Sequence, residues 1–501
     1  MEVAFENKTA AVLRETAHLT KTVQETGETV VPDTNDDIGK IVSVRTDISL
    51  KSKENTAQGV CVEGEAESVV LYITESADAV SCVKLSRKFS LDFEVPDMTE
   101  EALSHIRLSL SETAARILNP RKLALSFSVT GELSVYTREN ILSRTLLPED
   151  CDGKGIHVKW ESREFTAVTA AVEKTFAVSE QFSFPTGKAA PEKLIGAKAE
   201  FVLGDTQIIG TKAIARGELR IGALYLPEGG VFPMQAEFST PFSQIVETGE
   251  EKTEVCISTV EVCSRFFELT DAVNGEKMLR AEIHGLLETV GYSKEKCICI
   301  ADAYSNLLPC TCIRQKLSRR ERLELKKTKL MADTKLMAPE DCEEVLSILP
   351  AAFPPVFSED KMSGEAVLDI VYRGVQGELG AVKRTLNVQG ECEGKNLRLL
   401  SYALSEAAFR PDGGVIDCHA AVEAQYRSEE TAEGSAVTGL SLDEDSPYDF
   451  SAFPTVTVVR SEGEELWEYA RRYHSSVEEI EAVNGKEENY TGKLLLIPKG
   501  V

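Results

Sequence analysis

Hydrophobic and polar residues alternate along much of the chain, which is the pattern of β-strands with one buried face. The clearest example is the segment 122–135, where every second residue from Leu123 to Val129 is apolar. Similar stretches occur at 278–290 and 415–426. A turn signal precedes each of the three stretches: Asn119-Pro120, Asn274-Gly275 and 410–413. Because turn residues followed by an alternating run are typical of hairpin strands, we predict a mainly β fold.

One strand pattern recurs three times. The segments 64–72, 217–225 and 364–372 all begin with Gly-Glu and end with tyrosine, and apolar and polar positions alternate between them. The spacing of about 150 residues is the size of a whole domain. We therefore predict three tandem β-rich repeat domains, at residues 5–150, 155–295 and 296–427.

The last part of the chain, 455–501, changes from strand periodicity to helix periodicity. A β-branched run at 455–460 predicts a first strand. Apolar residues at helical spacing predict short helices over 466–473 and 477–483, and an apolar run that ends at Pro498 predicts a second strand. The expected order is βααβ, a small α+β module at the end of the β-rich repeats.

An acidic segment separates the third repeat from this module. Residues 428–450 contain seven acidic side chains and no Lys or Arg, and Ser, Gly, Thr and Ala lie between them. Such a composition offers little apolar surface to offset the loss of chain entropy on folding. We predict a flexible acidic linker at 428–453.

A basic segment at 313–329 contrasts with the acidic chain, because it has eight Lys or Arg residues and only two glutamates. It could bind an acidic partner or the chain's own acidic linker. A solvated basic strand face is the alternative, and the sequence leaves both interpretations open.

The overall charge narrows the range of partners. The net charge is −27 at pH 7, which disfavours nucleic acid and anionic membrane surfaces because both attract cationic patches. The N-terminal residues carry acid where a signal peptide has a basic region. No apolar run approaches the roughly 20 residues of a membrane-spanning helix. We expect no nucleic-acid partner, no transmembrane segment and a cytoplasmic location.

Four cysteines form two Cys-x-Cys pairs, Cys297 with Cys299 and Cys310 with Cys312. Two such strands side by side could hold a tetrahedral zinc ion or form redox cross-links, although structural zinc sites usually have Cys-x2-Cys spacing. Alternate cysteines on a strand also behave as small hydrophobic residues. We favour that interpretation and expect no metal and no other cofactor.

The usual catalytic motifs are missing from the sequence. There is no His-Glu-x-x-His, Gly-x-Ser-x-Gly or P-loop pattern. The recurring glutamates Glu65, Glu218 and Glu365 supply one carboxylate per repeat, which is not an acid–base pair. We therefore expect no catalytic residues and a protein that is not an enzyme.

The C-terminal module resembles the LysM family. The resemblance rests on a glycine-acid turn, a Leu-Trp pair at the start of the first helix, an asparagine after the second helix and the final Ile497-Pro498. It implies a binding module, in which Trp467 is either a core residue or an interface anchor. The candidate partner- or glycan-binding residues are Gly463, Glu464, Glu465, Leu466, Trp467, Asn484, Asn489 and Tyr490. Glu465 departs from the family pattern, because a small hydroxyl residue is common at that position.

The three repeats, with their Gly-Glu strand and the segment 301–305 (ADAYS), resemble the SPOCS domain of spore-coat morphogenetic proteins. Three such domains followed by a LysM module imply a coat adaptor that binds a SpoIVA-like ATPase at the forespore surface, in the mother-cell cytoplasm. The alternative is LysM-mediated binding of peptidoglycan or of its lipid-linked N-acetylglucosamine precursor. Self-association of the repeats is a third hypothesis.

Overall fold

The computed structural model describes residues 1–500 apart from 97, 100, 148–152, 231, 250–251, 273–274, 413 and 488. Strands make up most of these residues, and both α-helices lie in the C-terminal module, so the predicted mainly β fold with a small α+β module is confirmed. Asn274 and residue 413, which belong to two predicted turns, lie outside the described residues. Across the described ranges, no helix is both long and apolar enough to cross a membrane.

Residues 1–442, which we call the body, contain three units with the same strand order. Unit 1 follows a short β1 (Glu2–Ala4) and consists of β2 (Glu6–Val30), β3 (Ile38–Thr56), β4 (Gly59–Thr74), β5 (Val80–Glu94), β6 (Leu103–Asn119) and β7 (Lys122–Leu146). Unit 2 consists of β8 (Ile156–Ser183), β9 (Pro191–Ile209), β10 (Lys212–Pro227), β11 (Met234–Glu247), β12 (Val255–Asp271) and β13 (Lys277–Ser305). Unit 3 consists of β14 (Cys310–Met337), β15 (Cys342–Ala352), β16 (Val356–Ser358), β17 (Lys361–Gly374), β18 (Leu379–Glu391), β19 (Arg398–Asp412) and β20 (Val415–Leu442).

Each unit has a long first strand, then a three-stranded meander, then a hairpin whose last strand pairs back with the first strand. The last and first strands pair antiparallel in all three units: β7 with β2, β13 with β8, and β20 with β14. The meanders are β3-β4-β5, β9-β10-β11 and β15-β17-β18, with β16 as an addition beside β17. The repeated Gly-Glu segments are the central strands β4, β10 and β17 of these meanders.

The tyrosine that ends each repeated segment ties its meander to the preceding loop. Tyr72 and Tyr225 are fully buried, and Tyr372 is nearly so. Their hydroxyls donate to the carbonyl oxygen of Asp36 at 3.0 Å, the carbonyl oxygen of Ala189 at 3.3 Å and the carboxylate of Asp341 at 3.2 Å. The pattern recurs because a buried phenol needs a hydrogen-bond partner.

The three meanders meet in one hydrophobic cluster. It contains Leu71 and Ile73 from β4, Ile195 and Leu224 from unit 2, and Val371 from β17. The long strands of units 1 and 2 also share one sheet, ordered β12-β13-β8-β2-β7-β6. The units are therefore packed against one another. The boundary predicted at 295/296 falls inside β13, which continues to Ser305.

The acidic segment is not a flexible linker over its first part, in contrast to the prediction. Residues 428–442 are the second half of β20 and pair with residues 310–324 of β14. Val437, Leu440 and Leu442 are buried, and the backbone of Asp443 and Tyr448 continues to bond the body beyond the strand. A short 3₁₀ helix, Phe450–Ala452, follows. The segment folds because a neighbouring strand supplies the hydrogen bonds and the counter-charge that its composition lacks.

That neighbouring strand carries the basic segment. Arg322 lies opposite Glu430, and the Nε atom of Arg320 is 2.9 Å from a carboxylate oxygen of Glu429. Of the two interpretations that the sequence left open, the structure therefore has the basic segment paired with the chain's own acidic segment along β14.

Candidate functional site

The C-terminal module has the predicted βααβ order. Its elements are β21 (Val456–Arg460), α1 (Leu466–Arg472), α2 (Val477–Asn484) and β22 (Leu494–Pro498). Strands β21 and β22 pair antiparallel, and Tyr469, Ile480, Leu495 and Ile497 form the buried core between this ribbon and the helices. The Ser476 hydroxyl accepts the backbone N–H of Glu479 and caps α2.

Two loops of the module come together beside the open end of the ribbon. The backbone N–H of Ser461 donates to the carbonyl of Lys493 at 2.9 Å, and Gly492 donates back to Ser461 at 2.8 Å. Gly463 has φ +101°, and a Cβ there would lie 3.2 Å from the Thr491 hydroxyl. Glycine is therefore required both by the backbone conformation and by the close approach of the second loop.

Of the eight predicted site residues, Gly463, Glu464 and Asn489 lie at this pair of loops and are exposed. Glu464 is paired with Arg472 at 3.0 Å, so its carboxylate is already engaged within the module. Asn489 accepts the backbone N–H of Thr491 at 2.8 Å. The loop pair is thus a polar surface with internal hydrogen bonds and an ion pair.

Asn484 and Tyr490 hold the module together. The Asn484 side chain donates to the carbonyl of Ile480 and accepts the backbone N–H of Leu496, both at 2.8 Å. Tyr490 is buried, and its hydroxyl donates to the carbonyl of Gly485 at 2.5 Å. Both side chains therefore join the end of α2 to the chain that follows it.

The remaining predicted residues, Glu465, Leu466 and Trp467, lie on the side of the module near the body. Trp467 is 8% exposed, and its indole N–H donates to Asp302 of β13 at 2.9 Å. Glu465 forms an ion pair with Lys159 of β8. Leu466 packs in the core cluster that also contains Tyr304 of β13. Trp467 is both a core residue and an interface residue, and the interface is with the protein's own body.

Further contacts complete this docking. The Tyr304 hydroxyl donates to the carbonyl of Ser475 at 2.8 Å, and its ring meets Trp467 edge-on at 4.8 Å. Tyr448, in the chain that connects the body to the module, packs on His474 with ring centroids 3.9 Å apart. Sequence reasoning used the segment 301–305 only as a family feature and missed its contact with the module.

Sequence reasoning also missed an apolar surface on the outer face of the β21–β22 ribbon. Val456, Val458, Leu494 and Leu496 are 43%, 57%, 68% and 39% exposed, and Val458 lies directly opposite Leu496. Alternation along each strand places these side chains away from the core. The signal was present in the sequence, because residues 494–497 are all apolar, three of the five residues of β21 are valine, and only one face of the ribbon can be covered by the helices.

The cysteine pairs are divided between separate parts of the core. Cys297 and Cys299 are buried against Leu142 and Phe165, whereas Cys310 and Cys312 belong to a different cluster around Val437 and Leu440. Cys312 bonds the carbonyl of Ala303 at 3.1 Å. Within the described part of the chain, no three His, Cys, Asp or Glu side chains are grouped as metal ligands.

The family model described as SipL, SPOCS domain matches residues 37–117, which comprise the meander of unit 1 and nearly all of β6. No significant match was found among curated proteins or among solved structures. The family match does not extend to the C-terminal module, whose LysM resemblance stays a prediction. Over residues 37–117, the chain is therefore similar to the SPOCS domain of the SipL family.

Proposed function

We propose that the protein is a non-enzymatic adaptor in spore-coat morphogenesis, and that its C-terminal module recruits a coat protein at the forespore surface. By resemblance, the recruited protein is a SpoIVA-like coat ATPase, and the adaptor acts from the mother-cell cytoplasm. The SPOCS match supports the setting. The exposed apolar face of the β21–β22 ribbon is the observation that supports recruitment of a protein.

Contiguous exposed apolar surface on a small module is costly in water and is typical of protein interfaces. Val458 and Leu494 are the most exposed members of the apolar face. Fully burying one such side chain contributes about 1.5–3 kcal/mol, so a partner that covers the face gains most of its affinity there. A glycan, by contrast, would be expected at the polar loop pair, which carries Gly463 and Asn489.

The test compares binding of the full-length protein to the purified coat ATPase with its retention on insoluble peptidoglycan. We expect Val458→Glu and Leu494→Glu to weaken ATPase binding by about tenfold or more, because a charge cannot be buried in an apolar contact. Val375 lies in a loop of unit 3 and is 68% exposed, so Val375→Glu is the matched control, and this variant should bind the ATPase normally.

The alternative ligand predicts the opposite pattern. Retention on peptidoglycan alone, lost in Asn489→Ala and kept in Val458→Glu, would overturn the proposal in favour of glycan binding at the loop pair.

A further inference from the structure

The last strand of every unit contains a β-bulge close to its end. One extra residue interrupts the pairing with the first strand at Ser143 in β7, at Ala301 in β13 and at Thr438 in β20. A bulge redirects the side chains beside it. The three units therefore present corresponding positions at the same place in their fold.

The residues at these positions differ among the units. The residue after the bulge is Arg144 in unit 1, Asp302 in unit 2 and Gly439 in unit 3. Two positions further on, the residues are Leu146, Tyr304 and Ser441. Only unit 2 combines a carboxylate with an aromatic ring, and unit 2 is the unit on which the C-terminal module is docked.

The Asp302 carboxylate is fully used in this contact. Its Oδ1 atom accepts a guanidinium N–H of Arg314 at 2.9 Å, which fixes the orientation of the group. Its Oδ2 atom accepts the indole N–H of Trp467 at 2.9 Å and a guanidinium N–H of Arg471 at 3.0 Å. The Asp302 side chain is only 13% exposed, so the carboxylate that accepts these charge-assisted bonds is largely shielded from water, whereas the side chain of Arg471 is half exposed.

Tyr304 supplies the apolar half of the docking site. It is 3% exposed, and its ring lies between His157 of the body and Trp467 of the module, with centroid distances of 5.1 and 4.8 Å. Its hydroxyl satisfies the carbonyl of Ser475 just before α2. Removing the module would expose this ring and take away the partners that the module supplies to the Tyr304 hydroxyl and the Asp302 Oδ2 atom.

We infer that Asp302 and Tyr304 are the specificity-determining pair that holds the C-terminal module against unit 2. A body with three repeats therefore binds its single C-terminal module in one fixed position. Trp467 is used in this internal contact, and the apolar face of the β21–β22 ribbon lies outside the contact between the module and unit 2. The inference concerns how the module is held and does not depend on which partner the module binds.

The test measures the fraction of full-length protein in which the C-terminal module is undocked from unit 2. Chymotrypsin can cleave at Phe450 and Phe453, which lie between the body and the module. Trp160→Phe leaves Trp467 as the single tryptophan, so acrylamide quenching reports its exposure. Because loss of a charge-assisted bond shifts the equilibrium by about tenfold or more, Asp302→Ala should speed cleavage by that factor and increase quenching.

Two neighbouring arginines of the C-terminal module provide a matched pair of variants. Because both residues lie outside the body, substituting either one leaves the fold of the body unchanged. Arg471 reaches Asp302, whereas Arg472 pairs with Glu464 inside the module, and the two side chains are 50% and 52% exposed. Arg471→Gln and Tyr304→Phe should both accelerate cleavage, and Arg472→Gln should not. Equal cleavage rates for Arg471→Gln and Arg472→Gln, with unchanged quenching in Asp302→Ala, would refute the inference whether or not the coat partner binds.

Discussion

Glu15 of β2 is a single carboxylate at which all three units meet. Its side chain is 5% exposed and pairs with Arg320 at 3.2 Å, with Arg427 at 3.0 Å and with Arg398, all from unit 3. Arg427 also donates to the hydroxyl of Tyr292 in unit 2 at 3.1 Å. Burial by itself raises the pKa of Glu15, but the guanidinium groups of Arg427, Arg398 and Arg320 outweigh it and lower that pKa to about 2.

We predict that Glu15→Gln destabilises the protein by about 3–5 kcal/mol, because it removes the carboxylate that three guanidinium groups share, and Glu429, which pairs with Arg320 at 2.9 Å, cannot compensate all three. Urea denaturation at pH 7 would measure the loss of unfolding free energy. Glu139→Gln is the control, since Glu139 is 41% exposed and pairs with Arg14 at the surface, and it should cost less than about 1 kcal/mol. Equal losses for the two variants would contradict this role of Glu15.

The same residue predicts a pH dependence. The pKa of Glu15 is lower in the folded protein than its ordinary value of 4.5, so the ionised group contributes stability above pH 4.5. That contribution, about 3 kcal/mol, is lost as the pH falls from about 4.5 to about 2. Denaturation curves collected across this window should fall more steeply with acid for the wild-type protein than for Glu15→Gln.

At the scale of the strand, the repeated glycine serves cross-strand packing. In units 1 and 2 an aromatic residue of the third meander strand lies opposite the glycine, Phe89 opposite Gly64 and Phe242 opposite Gly217. A Cβ on Gly217 would lie 2.3 Å from the backbone carbonyl oxygen of Val202, which cannot move aside. The motif is therefore a packing device of the central strand.

Unit 3 offers a natural comparison, because a Cβ on Gly364 would lie 3.2 Å from Pro355 and 3.5 Å from the Val388 side chain, with no contact as short as that at Gly217. We predict that Gly217→Ala destabilises the fold by about 1–3 kcal/mol and that Gly364→Ala costs less than about 1 kcal/mol. The midpoint of chemical denaturation measures both. A larger effect at Gly364 would show that contact with the neighbouring strand is not what requires the glycine.

Sequence periodicity was sufficient for strands such as β7, because every second residue from Leu123 to Val135 is buried on one of its faces. It was insufficient for residues 428–442, because the strand that stabilises them, β14, lies more than a hundred residues earlier in the sequence. The site shows the same division. Gly463 and Asn489 follow from the local pattern of the module, whereas Asp302 meets Trp467 across 165 residues, a contact that local spacing does not encode.

At the scale of the whole molecule, the units are joined by the shared meander core, by the charge cluster around Glu15 and by the end of β20. Val437 and Leu440 of β20 pack with Val3 of β1, with Phe5 between β1 and β2, and with Ile300 of unit 2. The acidic segment thus stabilises the body by contacting all three units, and the C-terminal module follows it in the chain.

This arrangement predicts where the body can be cut. A chain that ends at residue 442 keeps β20 complete, whereas one that ends at 427, the boundary expected from composition, leaves residues 310–324 of β14 without their partner. Removing the buried Val437, Leu440 and Leu442 costs on the order of 5 kcal/mol, so the 1–427 chain should unfold at a markedly lower urea concentration or aggregate. The 1–442 chain also lacks the C-terminal module, as the 1–427 chain does, and therefore serves as the control. A strand that joins three units cannot be removed without loss of stability. If both chains unfold at the same urea concentration, residues 428–442 therefore behave as the flexible linker that their composition suggests, and the structural role argued for them is wrong.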